Sequence, residues 1–350
     1  MATRRNKQSN GTTAIGLDIG STHLKTVVLG REGEQVQLLE YAIAPFTTPA
    51  GKAGAEQEFG NELLQFLGQL KMPERRVSAS ITCTSAVVCE AELPRIPIEE
   101  VRNVLKLNSA RYLRRDFSNY LFDAVELMEP LVDPKAKKTP TMKLLVAGAL
   151  REEVLWFRDA LVAAKVKPDV IELAAVSVIN AFQASHRAVC EKDVVLLIDV
   201  GARSTTINFL RAGQPRLTRI MHFGGVQVSE YLGQVLTLDA KAAEEEKIQM
   251  SETVQPLVKT SLLPLAREVR ASVDFFERQQ ECHVTRAFSC GGSACSPVFL
   301  KFLSEEVGMQ IEQWNPIEGY DLSQYISDVA KLKASAPSLA AALGSAVVRV

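Results

Sequence analysis

The chain has 350 residues, of which 47% are hydrophobic and 23% charged, a composition typical of a globular protein large enough for two cores. Its formal net charge of −1 argues against a global positive field that would collect nucleic acid. Its apolar runs are all shorter than the about 20 residues that span a bilayer, which argues against a transmembrane helix.

The N-terminal segment and the cysteines narrow the class of protein further. Residues 1–12 are polar and basic and lack the apolar segment of a signal peptide, so we predict a flexible tail there. The cysteines show no CxxC spacing, which favours buried, reduced thiols in a cytosolic protein over a metal site or disulfides. They are Cys83, Cys89, Cys190, Cys282, Cys290 and Cys295.

Strands alternate with helices in the first half of the chain. The predicted elements are strands joined by a hairpin at 14–44, a helix at 56–70, strands at 77–81 and 87–93, a helix at 98–112, and strands at 120–127 and 143–149. A polar, Lys-rich loop at 133–141 joins the last two strands. The strand–helix–strand–strand block at 87–149 is predicted to be a small inserted subdomain.

The second half repeats this alternation, which predicts an α/β protein with partly parallel sheets. Helices are predicted at 151–164, 174–185, 226–236, 239–247, 255–280 and 297–308, with strands at 170–173, 194–199, 206–210 and 284–289. A packed final helix is predicted within 337–350, where Arg349 is the only charged residue.

Two strand–turn–strand segments, about half a chain apart, are nearly alike. In residues 15–22 an apolar run is followed by Asp18, Gly20, Ser21 and Thr22, and in residues 196–203 an apolar run is followed by Asp199 and Gly201. Glycines let backbone N–H groups approach an anion, and carboxylates hold the Mg²⁺ that accompanies a phosphate. Each segment alone can be an ordinary hairpin, but the duplication predicts a phosphate clamp, with Lys25 placed to neutralise phosphate charge.

A third Gly-rich turn follows the strand at 284–289. Gly291, Gly292 and Ser293 lead from this strand toward a helix. Paired glycines would let the backbone pass flat against a base or a ribose, although a plain strand–helix turn has the same pattern. The three elements in this order predict a nucleotide site.

With these motifs the chain resembles the actin-like ATPase superfamily, and within its FtsA/PilM branch it resembles the PilM family of type IV pilus assembly proteins. The matching motifs are Asp18 to Ser21 with Lys25, Asp199 to Thr206, Gly224-Gly225, Ala243-Glu244 with Lys247, Cys290 to Ser293, Asn315-Pro316 and Ala336 to Gly344. The resemblance spans nearly the whole chain.

This resemblance implies an actin-like ATPase fold, which is two ribonuclease-H-like lobes with an inserted 1C-type subdomain. The implied organisation is a tail at 1–12, a first lobe at 13–86 and 150–192, the 1C-like subdomain at 87–149, and a second lobe at 193–350.

The resemblance also implies ATP and Mg²⁺ as cofactors, with Asp18 and Asp199 holding the metal through water. Its nucleotide-binding residues would be Asp18, Gly20, Ser21, Thr22, Lys25, Asp199, Gly201, Thr205, Gly224, Gly225, Glu244, Lys247, Gly291, Gly292 and Ser293. The implied partner is the cytoplasmic N-terminal peptide of a PilN-like inner-membrane protein. The protein would then be cytoplasmic and peripheral to the inner membrane, with motor or platform components and self-association as further contacts left open.

Some residues depart from the family pattern. Ala174 stands where an acidic residue usually faces the metal and the attacking water, so we expect weak or no hydrolysis. Arg203 can pair with a phosphate or fill the site, and His23 replaces a small residue and is expected to be a solvated turn residue. The cluster of Arg111, Arg114 and Arg115 is either a solvated helix end or a docking surface.

Two other functions remain as alternatives. A small-molecule kinase on the same fold would need a further catalytic Asp in a recognisable sugar-kinase context, which we do not find. An FtsA-like division protein usually ends in an amphipathic membrane helix, which 337–350 does not resemble.

Overall fold

A computed structural model of the chain describes residues 12–71, 76–127, 141–324 and 326–350. The predicted tail at 1–12 and the predicted loop at 133–141 therefore lie outside the described residues, except for the last residue of each. The strands are β1 (Thr12–Ile19), β2 (His23–Glu32), β3 (Gln35–Pro45), β4 (Arg76–Ile81), β5 (Val87–Pro94), β6 (Tyr120–Glu126), β7 (Thr141–Leu150), β8 (Lys167–Leu173), β9 (Val194–Val200), β10 (Thr205–Arg211), β11 (Gln214–Met221), β12 (Arg286–Cys290), β13 (Ile311–Gln313) and β14 (Asp321–Leu322).

The helices begin and end close to the predicted residues in most cases. They are α1 (Glu56–Leu67), α2 (Ile98–Leu107), α3 (Ser109–Tyr112), α4 (Arg151–Ala163), α5 (Ala174–Ser185), α6 (Arg187–Lys192), α7 (Gly225–Leu236), α8 (Ala240–Gln249), α9 (Gln255–Gln280), α10 (Pro297–Val307), α11 (Val329–Ser335) and α12 (Ala340–Val347). Short 3₁₀ turns cover Ser293–Cys295 and Ala336–Leu339.

The first sheet has the strand order β14-β3-β2-β1-β4-β8. Strands β1, β2 and β3 form an antiparallel meander, and β4 and β8 run parallel to β1. One face carries Leu17 and Ile19, which pack with Phe59 of α1 and Phe157 of α4 in one buried core. The period-two alternation of β1 leaves Gly16 and Asp18 on the opposite face.

The second sheet repeats this arrangement in the order β11-β10-β9-β12-β13. Strands β9, β10 and β11 are antiparallel, and β12 is parallel to both β9 and β13. Its core includes Phe209 of β10 stacked on Phe276 of α9, with ring centroids 4.4 Å apart. The shared order means that β1–β2 and β9–β10, the two hairpins predicted from sequence, occupy equivalent positions in two copies of one topology.

A shared core lies between the two sheets. It joins Leu29 of β2, Phe182 of α5, Leu197 of β9 and Leu343 of α12. Helix α12 also packs closely on β1, because a Cβ on Gly16 would collide with the carbonyl of Ala342. The chain therefore returns to the first sheet through α12.

The third sheet, β5-β7-β6, lies within the block predicted as an insert. It is antiparallel and shares a separate core with α2, including Leu93, Val101 and Leu144. Arg216 of β11 forms an ion pair with Glu90 of β5, at 3.7 Å between Nη1 and Oε1, which connects this sheet to the second one.

Several predicted bounds were wrong. The helix predicted at 98–112 is interrupted at Asn108, whose side-chain amide donates to the Val104 carbonyl 3.2 Å away and so competes with the helical pattern. Helices α6 and α11 and strands β11, β13 and β14 were not predicted. All of these except β11 have seven residues or fewer, which is too short to show a period, and β11 is only partly buried along most of its length.

The structure also bears on the membrane and cysteine predictions. Among the helices of the described ranges, none has both the length and the apolar character needed to cross a bilayer. All six cysteines are free thiols, as predicted, but only Cys83, Cys190 and Cys290 are fully buried.

Candidate functional site

The turns that end β1 and β9 face a common cavity. Asp18 and Lys25 enter it from the first hairpin, and Asp199 enters it from the second. Asp18 lies opposite Lys25 in the β1–β2 register, and the Lys25 ammonium donates to Asp18 Oδ2 at 2.7 Å. The duplicated hairpins thus bring two carboxylates and one ammonium group to one place.

The Lys25–Asp18 pair is largely shielded from solvent. Burial would lower the pKa of Lys25, but Asp18 and then Asp199 outweigh this effect and hold the pKa above its ordinary value. Asp18 is only 4% exposed, and its second oxygen, Oδ1, is buried and has no hydrogen-bond partner within the described ranges. A buried carboxylate oxygen without a partner is a ready acceptor for a cation or a water.

Among the described residues Asp18 has a direct ion pair, with Lys25, and Asp199 has none. Burial raises the pKa of Asp199 to about 6, although Lys25 lowers it, and a hydrogen bond from Cys290 also favours the charged form. With a pKa of about 6, the Asp199 carboxyl group is mostly charged at neutral pH. Across the described residues no three acidic, His or Cys side chains converge on one point, so a cation here would take its remaining ligands from a substrate or water.

A second cavity of about 1510 Å³ adjoins the first. Both cavities are lined by Thr22, His23, Gly201, Ala202 and Gly292. The outer cavity also has Gly225, Ser293, Glu244 and Lys247 in its wall, together with the apolar side chains of Ile248, Met250, Val298 and Phe299. The two cavities form one cleft, with a charged inner compartment and a more apolar outer compartment.

Glu244 and Lys247 of α8 are held in place by hydrogen bonds. Lys247 Nζ donates to Glu244 Oε2 at 2.6 Å and to the Gly225 carbonyl at 3.1 Å. Ser229 donates to the same Glu244 oxygen at 2.5 Å. Burial would raise the pKa of Glu244, but the bonds from Lys247 and Ser229 outweigh it and lower the pKa. The pair therefore presents fixed charges to the outer compartment.

The neighbouring residues Gly291 and Gly292 differ in whether their positions could accommodate a side chain. Gly291 has φ +91°, and a Cβ there would lie 2.5 Å from Asp199 Oδ1. A Cβ on Gly292 would meet nothing within 4 Å. Gly291 is thus required by the backbone, whereas Gly292 leaves open space where the two compartments meet.

Thr205 and Gly224, predicted as nucleotide-binding, line neither cavity. Thr205 is fully buried, and its hydroxyl donates to the Phe223 carbonyl at 2.7 Å. A Cβ on Gly224 would lie 2.5 Å from the Gly201 carbonyl. These two residues support the second hairpin from behind. The remaining predicted residues, Asp18, Gly20, Ser21, Thr22, Lys25, Asp199, Gly201, Gly225, Glu244, Lys247, Gly291, Gly292 and Ser293, all line the cleft.

Other residues of the inner compartment were missed. Ser204 and Thr206 line it from the second hairpin, and Thr82 lines it from the end of β4. The segment from Pro337 to Ala341, at the start of α12, contributes four residues. The resemblance matched this last segment but gave it no role, because small apolar residues carry no chemical signal of their own.

The departures from the family pattern can now be located. Ala174 lies in the inner wall, so its position supplies no carboxylate to the cleft. Arg203 is exposed and lines neither cavity, so it does not fill the site. His23 lines both compartments.

A row of polar side chains extends from Asp18 into the first sheet. Asp18 pairs in register with Ser80 of β4, and Ser80 pairs with Glu172 of β8. Paired positions of parallel strands share one face of a sheet. Like Asp18 Oδ1, the buried atoms Ser80 Oγ and Glu172 Oε1 have no hydrogen-bond partner in the part of the chain that the structure describes. Burial raises the pKa of Glu172 to about 7.

We therefore expect Glu172→Gln to change how stability depends on pH. Between the ordinary pKa of 4.5 and about 7, the folded protein holds more protons at Glu172 than the unfolded chain does. The free energy of unfolding must then fall as pH rises through this window. Glu172→Gln should flatten this fall and leave the variant about 1–2 kcal/mol more stable than the parent at pH 8. Urea unfolding at pH 5, 6.5 and 8 measures this, with the surface variant Glu191→Gln as control, and parallel curves for the parent and Glu172→Gln would contradict it.

Comparisons with known proteins give the fold and the family. A solved PilM-PilN type IV pilus biogenesis complex is similar at 24% identity and a TM-score of 0.84, covering 96% of this chain and 98% of that one. The ethanolamine utilization protein EutJ from Carboxydothermus hydrogenoformans has 12% identity and a TM-score of 0.57, with 95% and 88% covered. MreB 5 of Spiroplasma citri, solved with AMPPNP, has 11% identity and a TM-score of 0.50, with 95% of each chain covered.

These likenesses confirm the predicted actin-like ATPase fold. The family described as type IV pilus assembly protein PilM matches residues 16–350. Because that match covers nearly the whole chain, the chain belongs to the PilM family of type IV pilus assembly proteins.

Proposed function

We propose that this chain is an ATP-binding scaffold of type IV pilus assembly, in which the bound nucleotide sets how closely the two hairpins approach. The observation that carries the proposal is the meeting of Asp18, Lys25 and Asp199 in one cavity, with one carboxylate from each copy of the repeated topology. Two lobes that both contact one ligand are drawn together when it binds.

The compartments match the parts of a nucleoside triphosphate. The backbone amides that follow the two glycines, those of Ser21 and Ala202, would bind phosphate oxygens, because the amides of Gly20 and Gly201 themselves donate to the carbonyls of His23 and Ser204. Lys25 would balance the phosphate charge. Mg²⁺ would be held by Asp18 and Asp199 through water, and the unpartnered Asp18 Oδ1 fits that role. When bound, this ion neutralises phosphate charge.

The outer compartment would take the ribose and base. Glu244 and Lys247 would approach the ribose, and the apolar wall would contact the base. Gly291, Gly292 and Ser293 lie where the chain passes close to both compartments.

Hydrolysis is expected to be weak or absent. The only acidic side chains of the described residues that line the cleft are Asp18, Asp199 and Glu244. The first is paired with Lys25 and the last with Lys247, and Ala174 offers no base for a water. We therefore assign the nucleotide a structural role, which also disfavours a kinase.

The partner would be the cytoplasmic N-terminal segment of a PilN-like inner-membrane protein, which would keep this chain cytoplasmic and peripheral to that membrane. The similarity to a PilM-PilN complex supports this assignment. The block at 87–149 is the proposed 1C-type subdomain. It exposes Leu107 and Val125, at 82% and 58%, and both fit an apolar peptide segment.

Calorimetry with Mg²⁺-ATP and with this peptide tests both parts. Wild-type protein should bind ATP with micromolar affinity and bind the peptide. Leu107→Asp with Val125→Asp should weaken peptide binding at least about tenfold and leave ATP affinity unchanged. Val162→Asp, at a 62% exposed position on α4, is the control. If the peptide binds the double variant as tightly as the wild type, Leu107 and Val125 are not part of the docking surface. Failure of the wild-type protein to bind ATP would contradict the nucleotide role.

A further inference from the structure

His23 lies where the two compartments of the cleft meet. Of the five residues that line both, it is the one whose side chain titrates near neutral pH. Its Nδ1 lies 3.0 Å from the Thr22 hydroxyl oxygen, which leaves Nε2 as the other polar atom of the ring. A ligand with its phosphates in the inner compartment and its base in the outer one must pass this junction.

The charges around His23 come from several elements. Lys25 lies on its own strand, Asp18 on β1, Asp199 on β9, and Glu244 and Lys247 on α8. Burial and then Lys25 lower the pKa of His23, while Glu244 raises it. The ring is therefore mostly neutral at pH 7 in the free protein, although it stands in the path of an anion.

We propose that His23 contacts the phosphate chain of the nucleotide at this junction, and that the complex forms with uptake of a proton by its ring. This inference rests on the proposed function. An anion brought next to a neutral imidazole stabilises the imidazolium form, and a charged N–H donor binds a phosphate more strongly than a neutral one. His23, which is exposed beside its turn in the free protein as the sequence predicted, is then also a ligand-binding residue.

The proton makes affinity depend on pH in a defined sense. The ring of the complex is protonated at pH values where the ring of the free protein is neutral. Affinity contributed by His23 should therefore fall as pH rises through that window, by up to about tenfold per pH unit. Asp199 acts in the opposite sense, because a bound cation needs its carboxylate and the pKa of Asp199 is about 6. The contribution of His23 is thus the difference between the parent and a variant that lacks the ring.

Titration calorimetry with Mg²⁺-AMPPNP at pH 6, 7 and 8 measures it, in buffers of different ionisation enthalpy so that protons are counted. The parent should take up a sizeable fraction of one proton more than His23→Gln at pH 7. His23→Ala should bind about five- to tenfold more weakly than the parent at pH 6, with a smaller difference at pH 8. His222→Gln, at an exposed histidine outside both cavities, is the matched control and should behave like the parent.

The outcomes separate this inference from the one on which it rests. Equal affinities and equal proton counts for the parent, His23→Gln and His23→Ala would overturn the role of His23 and leave the nucleotide site intact. A parent protein that binds no nucleotide at any pH would overturn both.

Discussion

Asp199→Asn is expected to weaken the binding of Mg²⁺-ATP by at least about a hundredfold, which corresponds to about 2.7 kcal/mol. Asparagine keeps the shape of the side chain but removes the charge that would hold the hydrated cation. Asp199 forms no direct ion pair with any residue that the structure describes, and its burial already disfavours the charged form, so loss of its charge should cost little fold stability.

Asp18→Asn should also abolish binding, but its effect on the fold has to be separated. Removing the charge of Asp18 leaves the Lys25 ammonium without its partner 2.7 Å away. Breaking a buried pair in this way costs about 3–5 kcal/mol. The ATP affinity of each variant should therefore be measured by calorimetry together with its thermal unfolding, which shows whether the variant is folded. The surface variant Asp159→Asn is the control. If both carboxylate variants are folded and bind ATP as tightly as the parent, the proposed nucleotide site is contradicted.

Gly344→Ala is expected to destabilise the protein by about 3 kcal/mol or more. A Cβ at this position would collide with the carbonyl group of Ser177 on α5, so α12 would have to move away from α5. The intrinsic preference of a helix for alanine over glycine acts in the opposite direction, by about 0.5–1 kcal/mol. The sign of the change therefore decides whether close packing or helix propensity governs this site.

Urea unfolding measures the effect of Gly344→Ala. Gly292→Ala is the matched glycine variant, because its Cβ meets nothing within 4 Å and its stability should change by less than about 0.5 kcal/mol. A stabilised Gly344→Ala protein would mean that α12 does not lie against α5 as described.

The two hairpins could be predicted from sequence because a short local pattern is enough to identify each of them. An apolar run followed by Asp, Gly and hydroxyl residues defines a strand end and a turn, and its duplication marks a symmetric site. The turns are short enough that Asp18 and Lys25 had to lie together in register.

The phase of β10 could not be predicted in the same way. Its residues from Thr205 to Leu210 are all buried, so no alternation of polarity shows which threonine faces the cleft. The prediction chose Thr205, whereas Thr206 lines the inner cavity. Only the packing of Thr205 against the Phe223 carbonyl decides between them.

The inner wall at Pro337–Ala341 is the other part that sequence reasoning did not assign. These residues come from the far end of the chain and are mostly small and apolar. They reach the cleft because Gly16 and Gly344 let α12 approach β1 and α5 closely. This close packing of α12 depends on tertiary contacts, which cannot be predicted from a local sequence pattern.

The central claim is that Asp18 and Asp199 hold one cation on one nucleotide between the two hairpins. A crystal grown with AMPPNP and Mn²⁺ in place of Mg²⁺ tests it most directly, through the anomalous signal of the metal. We predict a single Mn²⁺ peak between the two carboxylates, with the phosphates beside Lys25 and the base near Ile248. Nucleotide bound elsewhere, or a metal peak remote from both carboxylates, would contradict the account.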